Sequence, residues 1–252
     1  MFFRCLSLLL LGCGFAYAKE LRVCAEPDNP PFSRQDESGF ENRIARLLAD
    51  KMRAELSFAW EPQRRGFVRK TLGAGVCDVW IGVPSDLERV LTTRPYYRST
   101  YVFIARQKAL ASFDAPELKA LRIGVQLPGN DMAATPPGHA LALRGAVDNV
   151  VGYTVYGDRP AAQRIVDAIA KDELDAGVVW GPAAGYFAAQ KKLIVAPARP
   201  PAELAQLPFQ FSISMGVRPG ERALRDELDA LIERGQARID AILDEYAVPR
   251  LQ

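Results

Sequence analysis

Two short apolar runs that resemble each other place the strongest constraint on how this chain can fold. Residues 78–84 read DVWIGVP, and residues 175–182 read DAGVVWGP. Each run starts with Asp, continues through residues that favour β-structure, and stops at Gly and Pro, which is typical of a buried strand that ends in a loop. Ligands bind at the carboxyl ends of strands in open α/β sheets, so the pair predicts two α/β lobes that face a common cleft. The alternative is a chance similarity between two short apolar runs.

Length and charge balance limit the classes of protein to consider. A chain of 252 residues has room for one large domain or for two small ones with real hydrophobic cores. The 32 basic and 30 acidic residues give a formal net charge of +2. This balance gives no electrostatic reason to expect nucleic acid or an anionic membrane surface as a partner.

The N-terminal residues have the pattern of an export signal. Arg4 supplies a weak positive charge, residues 6–11 form a short apolar core, and residues 16–18 (AYA) form an A-x-A cleavage site. We therefore expect a signal peptide over residues 1–18, cleavage after Ala18, and an exported mature protein.

A second interpretation of this segment is a lipoprotein signal. Residues 10–13 (LLGC) would make Cys13 the acylated cysteine of an anchored protein. The Leu at the second position of this motif and the short segment before it argue against this interpretation. No apolar run of roughly 18 residues or more follows the N-terminal segment, so we expect no membrane span.

Two cysteines, Cys24 and Cys77, remain after the expected cleavage. An even pair in an oxidising compartment tends to form a disulfide. Cys24 ends the first predicted strand and Cys77 precedes the strand at residues 79–83, and we expect these strands to be neighbours. A disulfide and two buried thiols both agree with this placement. Two cysteines and the lone His139 make a poor ligand set, so we expect no metal site.

The order of the predicted elements indicates how two lobes are built. Hydrophobic periodicity and chain breakers predict strands at residues 21–25, 56–60, 79–83, 99–105, 121–125, 150–156, within 175–182, and at 193–195 and 209–217. They predict helices after Gly39, at residues 62–72, 139–144, 161–171, 183–190 and 221–246, and a short helical turn at 85–91. The order is βαβαβ, a connection, βαβαβ, then a strand and a helix. We expect residues 19–107 and 210–252 to form a discontinuous lobe one and residues 108–209 to form lobe two.

The first lobe resembles that of the type II periplasmic solute-binding proteins. The shared features are a first strand, a Pro-Pro-Phe loop at residues 30–32, a helix opened by residues 39–40, and a helix-Gly-x-x-Asp-strand unit at residues 75–81. Pro-Tyr-Tyr at residues 95–97 closes this region. The resemblance implies the clamshell fold of that family, in which two α/β lobes are joined by two crossover segments.

Further segments are similar to the quinoprotein dehydrogenase-associated branch of this family, which includes the J proteins of methanol-oxidation gene clusters. These are residues 62–69 (PQRRGFVR), 92–103 (TTRPYYRSTYVF), 135–137 (TPP) and 178–187 (VVWGPAAGYF). The resemblance covers nearly all of the mature chain. It implies a periplasmic protein that works beside a pyrroloquinoline-quinone (PQQ)-dependent alcohol dehydrogenase, in the assembly, activation or supply of that enzyme.

The chain departs from the amino-acid-binding members of the wider family where they hold their ligand. Those proteins carry Thr-Pro-Glu-Arg ahead of the Pro-Tyr pair, and its Arg binds the ligand carboxylate. Asp86 occupies that place here, and Arg89 lies three positions further on. In lobe two, the place of the acid that binds the ligand amine is taken by residues 180–182 (WGP). We therefore expect a cleft with an aromatic edge, which suits an apolar surface or a partner side chain.

Three functions agree with these patterns. The first is an accessory protein of a periplasmic PQQ-dependent alcohol dehydrogenase of the methanol type, which uses the cleft to bind the enzyme or to assist its assembly or activation. The second is an ABC-transporter solute-binding protein for a small ligand other than an amino acid. The third is an enzyme in which a cleft carboxylic acid transfers a proton, with Glu26, Asp28 and Asp131 as candidates. Acids on loops are usually only solvated, so we expect no catalysis and no cofactor.

We expect nine residues on loops at strand ends, or just beyond them, to line the cleft. They are Phe32, Arg65, Pro84, Ser85, Tyr96, Asn130, Asp131, Trp180 and Tyr186. Arg64 and Arg65 would hold an anion if they lie at a helix N-terminus, and the alternative is a solvated pair. For Trp180 and Tyr186 the alternative is a core position between strand and helix.

Overall fold

A computed structural model describes residues 19–127, 134–155 and 157–251 as a mixed α/β fold. Its strands are β1 (Glu20–Ala25), β2 (Asp28–Asn29), β3 (Ser33–Arg34), β4 (Glu55–Trp60), β5 (Val79–Pro84), β6 (Leu91–Thr92), β7 (Tyr97–Ala105), β8 (Ile123–Leu127), β9 (Val150–Thr154), β10 (Ala176–Trp180), β11 (Ile194–Pro197) and β12 (Gln210–Val217). Its helices are α1 (Phe40–Met52), α2 (Phe67–Lys70), α3 (Pro136–Leu143), α4 (Ala161–Ala170), α5 (Gly181–Gln190) and α6 (Arg222–Glu245), with 3-10 turns at Pro116–Ala120 and Ala202–Leu204. The predicted signal peptide and the alternative acylation site at Cys13 lie outside the described residues.

A ten-stranded sheet runs through both lobes. Its order is β4-β1-β5-β12-β7-β10-β8-β9, with β6 paired to β12 and β11 paired to β7. Strands β1, β4 and β5 are parallel in one half, and β8, β9 and β10 are parallel in the other. The two similar runs of the sequence are β5 and β10, so each is an interior strand of a different half.

Two long strands, β7 and β12, pass from one half of the sheet to the other. Residues 97–100 of β7 pair with β12, whereas residues 101–105 pair with β10 and β11. Residues 210–213 of β12 pair with β7, and residues 213–217 pair with β5. The two crossover segments of the predicted fold are therefore strands of the sheet itself. The exact lobe boundaries stay a prediction.

Helices cover both faces of the sheet and bury separate cores. In lobe one, α1 and α6 pack on one face of β1, β5 and β12. The apolar positions of α1 recur at helical spacing, and Phe40, Ile44 and Leu48 are at most 1% exposed. In lobe two, α4 and α5 cover one face, and α3 with the connection around Phe113 covers the other.

An equivalent Arg–Asp ion pair in each lobe connects its first strand to the strand formed by one of the two similar runs. Arg22 donates from its backbone N–H (3.3 Å), Nε (2.9 Å) and Nη2 (2.6 Å) to the Asp78 carboxylate. Arg122 does the same to Asp175 at 2.8, 3.1 and 2.8 Å. These hydrogen bonds from Arg122 hold the pKa of Asp175 down at about 2. The Asp that starts each run is thus a structural partner of an arginine on the neighbouring strand.

Cys24 and Cys77 form a disulfide, which confirms the first of the two interpretations of this pair. Their Cα atoms lie 5.4 Å apart, and both residues are at most 2% exposed, beside Phe67 and Leu72. The bridge spans 53 residues of sequence. A loop of this size gives about 4 kcal/mol of stabilisation on the chain-entropy model.

Two predicted helical segments are wrong in extent. The helix expected at residues 62–72 is only the four-residue α2, because Gly66 adopts a φ of +91° directly before it. The helical turn expected at residues 85–91 is a non-helical turn that leads into β6. Ser85 is held to β12, since its N–H donates to the Ser212 carbonyl at 2.9 Å, and this contact draws the chain away from a helical path.

The C-terminal residues tie lobe one to α5. Ser99 Oγ donates to the Pro249 carbonyl at 2.6 Å, and the ring of Tyr186 on α5 stacks on Tyr246 at 5.6 Å. A Cβ atom at Gly185 would lie 2.0 Å from the Ala247 carbonyl oxygen. The glycine therefore lets α5 approach the C-terminal chain more closely than any other residue would allow.

A carboxyl group is buried in lobe one near the end of β5. Glu41, in the first turn of α1, is 9% exposed, and its Oε1 lies 2.0 Å from the place of a Cβ on Gly82, which has a φ of +87°. Burial raises the pKa of Glu41 to about 8. Its neighbours Tyr96 and Tyr97 also have raised pKa values, chiefly through burial. Glu41 is therefore neutral in the folded protein over most of the neutral range.

Substitution of two of the helical glycines, Gly185 and Gly235, by alanine should have opposite effects. Gly185→Ala should lower the free energy of unfolding by roughly 1–3 kcal/mol, because the new methyl group meets the Ala247 carbonyl. Gly235→Ala on α6 should raise it by roughly 0.5–1 kcal/mol, because a Cβ there meets nothing within 4 Å. Urea unfolding of both variants checks this, and a Gly185→Ala protein as stable as the wild type would show that α5 does not need the close approach.

Glu41 should make the protein less stable as the pH rises. An unfolded Glu ionises near pH 4.5, whereas the folded Glu41 ionises near 8. The contribution of Glu41 to stability is therefore fully present below the lower value and falls by up to about 1.4 kcal/mol per pH unit until the pH passes 8. Urea unfolding at pH 5, 6, 7 and 8 should show this slope flattened in Glu41→Gln but kept in Glu55→Gln, which changes an exposed glutamate. An unchanged slope in Glu41→Gln would assign the pH dependence to other groups.

Candidate functional site

A pocket of about 500 Å³ lies between residues of the two lobes. Lobe one contributes Glu26, Asp28, Asn29, Gln63 and Arg64, and lobe two contributes Val155 and Gly157. These residues follow the carboxyl ends of β1, β4 and β9, which is the edge of a parallel sheet where ligands bind. We call this the cleft pocket.

Acidic groups dominate the lobe-one wall of the cleft pocket. Burial raises the pKa of Glu26, while a hydrogen bond from the backbone N–H of Gln63 and the charge of Arg64 oppose that effect. Ser33 Oγ donates to the Glu26 carbonyl at 2.7 Å and fixes the chain where it leaves β1. Asp28 is exposed at the same wall. The wall can therefore accept hydrogen bonds or a positive charge from whatever enters.

Trp180 lies at the crossover of the lobes. Its backbone N–H donates to Gln126 Oε1 at 3.0 Å. Its ring packs edge-on against Tyr101 of β7 at 5.6 Å and against Phe211 of β12 at 5.4 Å. The half-buried indole also packs on the core of lobe one. Trp180 thus packs against both crossover strands and does not line the cleft pocket.

Phe32 and Tyr186 also lie between the two cores. Phe32 packs against both the lobe-one core and the core under α4 and α5, with its ring 5.2 Å from Phe40. Phe40 in turn lies 5.8 Å from Tyr246, on which Tyr186 stacks. A continuous row of aromatic rings therefore connects the lobes, and both predicted residues belong to it.

Pro84, Ser85 and Tyr96 do not line the cleft pocket. Pro84 pairs with Ile213 in the sheet. The Ser85 hydroxyl is engaged with the Ser212 carbonyl at 3.0 Å and with Ser214 Oγ at 2.6 Å. Tyr96 is 2% exposed, so it offers almost no surface to a ligand. Tyr96 packs edge-on against Tyr97 in the core of lobe one.

Arg65 lines a different pocket, on lobe one alone. Helix α2 behind it has four residues, so a helix dipole gives little support to an anion there. Asn130 and Asp131 lie outside the described residues. Of the nine predicted residues, Phe32 and Tyr186 belong to the row of aromatic rings between the lobes, Trp180 packs on the crossover strands, and Arg65 lies apart.

Glu26 and Asp28 were named only as catalytic candidates and Arg64 only as an anion ligand, and the other cleft pocket residues were missed. A signal was present for part of the lining, because residues 26–29 and 61–64 each follow a predicted strand, whereas Val155 lies within the strand predicted at residues 150–156. Within the described residues, no group of three or more His, Cys, Asp and Glu side chains is arranged to hold a metal ion. No helix in that same part of the chain is both long and apolar enough to cross a bilayer.

Comparison with known proteins agrees with the sequence resemblance and confirms the predicted fold class. The chain is 34% identical to Protein MoxJ of Methylorubrum extorquens AM1, over 93% of this chain and 82% of that protein. It is 31% identical to Protein MoxJ of Paracoccus denitrificans, over 97% of this chain and 94% of the relative. The crystal structure of the periplasmic binding protein XoxJ from Methylobacterium extorquens AM1 superposes with a TM-score of 0.76 at 35% identity, covering 92% of this chain and 99% of that chain.

The family itself follows from a match over most of the sequence. Residues 21–248 match the bacterial extracellular solute-binding proteins, family 3. This range begins in β1 and ends just after α6, so it contains both lobes and both crossover strands. The chain belongs to the bacterial extracellular solute-binding proteins of family 3.

Proposed function

We propose that this protein is a periplasmic accessory protein of a PQQ-dependent alcohol dehydrogenase of the methanol type. In this proposal the cleft between the lobes binds the partner enzyme, or assists its assembly or activation, and the protein performs no catalysis of its own. The observation that carries the proposal is similarity over nearly the whole chain to MoxJ and XoxJ proteins at 31–35% identity.

The geometry near the cleft supports a partner other than a free amino acid. Asp86, which occupies the place of the carboxylate-binding Arg, is exposed. After β10 the chain enters α5 at once, and a Cβ at Gly181 would lie 2.5 Å from the Thr100 carbonyl oxygen. That position therefore has no room for the acid that would hold a ligand amine. The two ionic contacts that define an amino-acid receptor are both missing.

A transporter solute-binding protein is the second candidate, because the cleft pocket has the size of a small-ligand site. Its acidic lobe-one wall suits a ligand with hydrogen-bond donors or a positive charge. This candidate requires a compound that raises the melting temperature of the purified protein without any partner enzyme. The accessory role requires a complex with the dehydrogenase instead.

Val155 gives a direct test of the cleft as a protein interface. This valine lines the cleft pocket and is 45% exposed, so Val155→Asp should leave the fold intact. A carboxylate buried at an apolar contact without a partner should weaken binding of the dehydrogenase at least tenfold, which corresponds to about 1.4 kcal/mol. The measurement is co-purification of the tagged mature protein with the dehydrogenase from its own periplasm, followed by titration of the purified pair.

Val76→Asp is the matched control. Val76 is 51% exposed on lobe one and does not line the cleft pocket, so its substitution should leave binding unchanged. If the wild-type protein does not enrich a quinoprotein dehydrogenase, the accessory role is wrong. If the wild type binds and Val155→Asp binds equally well, the partner uses another surface.

A further inference from the structure

A second pocket, of about 590 Å³, opens on lobe one beside the cleft pocket. We call it the arginine pocket. It is lined by Gln63, Arg64, Arg65, Gly66, Phe67, Val68, Arg69, Trp80 and Arg89. Every one of these residues belongs to lobe one, so the pocket is complete without lobe two.

Three of its arginines have no counter-charge. Arg65, Arg69 and Arg89 form no ion pair among the described residues, whereas Arg22, Arg43 and most other arginines of lobe one are paired with carboxylates. Asp86 and Glu88 are close to Arg89 in the sequence, yet no ion pair with it is formed among the described residues. Three unpaired positive charges around one concavity repel each other, and low-dielectric walls concentrate their field in the pocket. An anion in the pocket removes this repulsion.

Aromatic surface forms another part of the pocket wall. The rings of Trp80 and Phe67 lie 4.9 Å apart, and Phe67 is 4% exposed, so this side of the wall is rigid. The indole N–H of Trp80 is buried and has no acceptor among the described residues. A buried donor without an acceptor is unfavourable. The Trp80 N–H therefore favours a ligand that brings a hydrogen-bond acceptor to this otherwise apolar wall.

Charge and shape together define a ligand class. We propose that the arginine pocket binds a small anion that carries two or more acidic groups on an apolar body. Guanidinium groups match carboxylates and phosphates in a two-point geometry, and the Trp80 and Phe67 surface suits the apolar body. The volume lies within the range of small-molecule sites. This inference is independent of the accessory role, because it needs neither a partner enzyme nor lobe two.

The test is a calorimetric titration of the purified mature protein, residues 19–252, at fixed ionic strength. The probes are benzene-1,3,5-tricarboxylate, citrate, benzoate and inorganic phosphate. We expect the aromatic tricarboxylate to bind most tightly, with benzoate and phosphate at least tenfold weaker. Binding of inorganic phosphate as tight as that of the tricarboxylate would show that the apolar body contributes nothing and would overturn the proposed ligand class.

Charge-removing variants locate the site. Arg65→Gln, Arg69→Gln and Arg89→Gln should each weaken tricarboxylate binding at least fivefold, while their exposed positions keep the fold intact. Arg234→Gln, which removes an exposed and unpaired arginine on α6, should leave the affinity unchanged. Equal weakening by Arg234→Gln would show a diffuse charge effect and overturn the site. The site is also overturned if no probe binds the wild type more tightly than it binds Arg89→Gln.

Discussion

The antiparallel pairing of β7 with β12 is the constraint on which the rest of the structure depends. It is the only link of the sheet path between the halves within the described residues, because β12 next pairs with β5 and β7 next pairs with β10. Both halves therefore direct the carboxyl ends of their parallel strands toward the same junction. The cleft pocket and the row of aromatic rings both lie at this junction. A chain in which either strand stopped at the lobe edge would have two separate sheets and no shared cleft.

Much of this fold was readable from the sequence because it rests on local patterns. The apolar spacing of α1 and the Gly-Pro pair after β10 act within a few residues, and they predicted the right elements. The role of Asp78 and Asp175 was not readable in the same way. Each binds an arginine that lies more than fifty positions earlier in the chain, and nothing near either Asp distinguishes that arginine from the others. The prediction of a helical turn at residues 85–91 is wrong for a related reason. The contact with Ser212, which is distant in the sequence, determines the conformation of this segment.

The candidate site was only partly predictable, again because part of it depends on contacts between residues that are far apart in the sequence. Strand ends are local features, so the loops after β1 and β4, which carry Glu26, Phe32 and Arg65, are predicted to lie at the end of the sheet, whereas nothing in the sequence indicated the loop after β9. Which side chain faces the pocket depends on the registers of strands that are far apart in sequence. Tyr96 follows a proline and looks like a loop residue, but its backbone N–H pairs with Ile213 at 2.9 Å and turns the ring into the core. Trp180 meets Phe211 for the same reason, through two strands that both pair with β7.

The loop between β4 and α2 connects the two pockets physically. Gln63 and Arg64 line both of them, and Gln63 donates its backbone N–H to the Glu26 carboxylate. The loop therefore lies between the carboxylates of Glu26 and Asp28 on its cleft side and the side chains of Arg65, Arg69 and Arg89 on its other side. The carboxylates of the cleft pocket disfavour an anion that the arginine pocket would accept, although Arg64 contributes a positive charge to both pockets. The distribution of charge between the two pockets of lobe one therefore depends on the position of the β4–α2 loop at the end of the sheet.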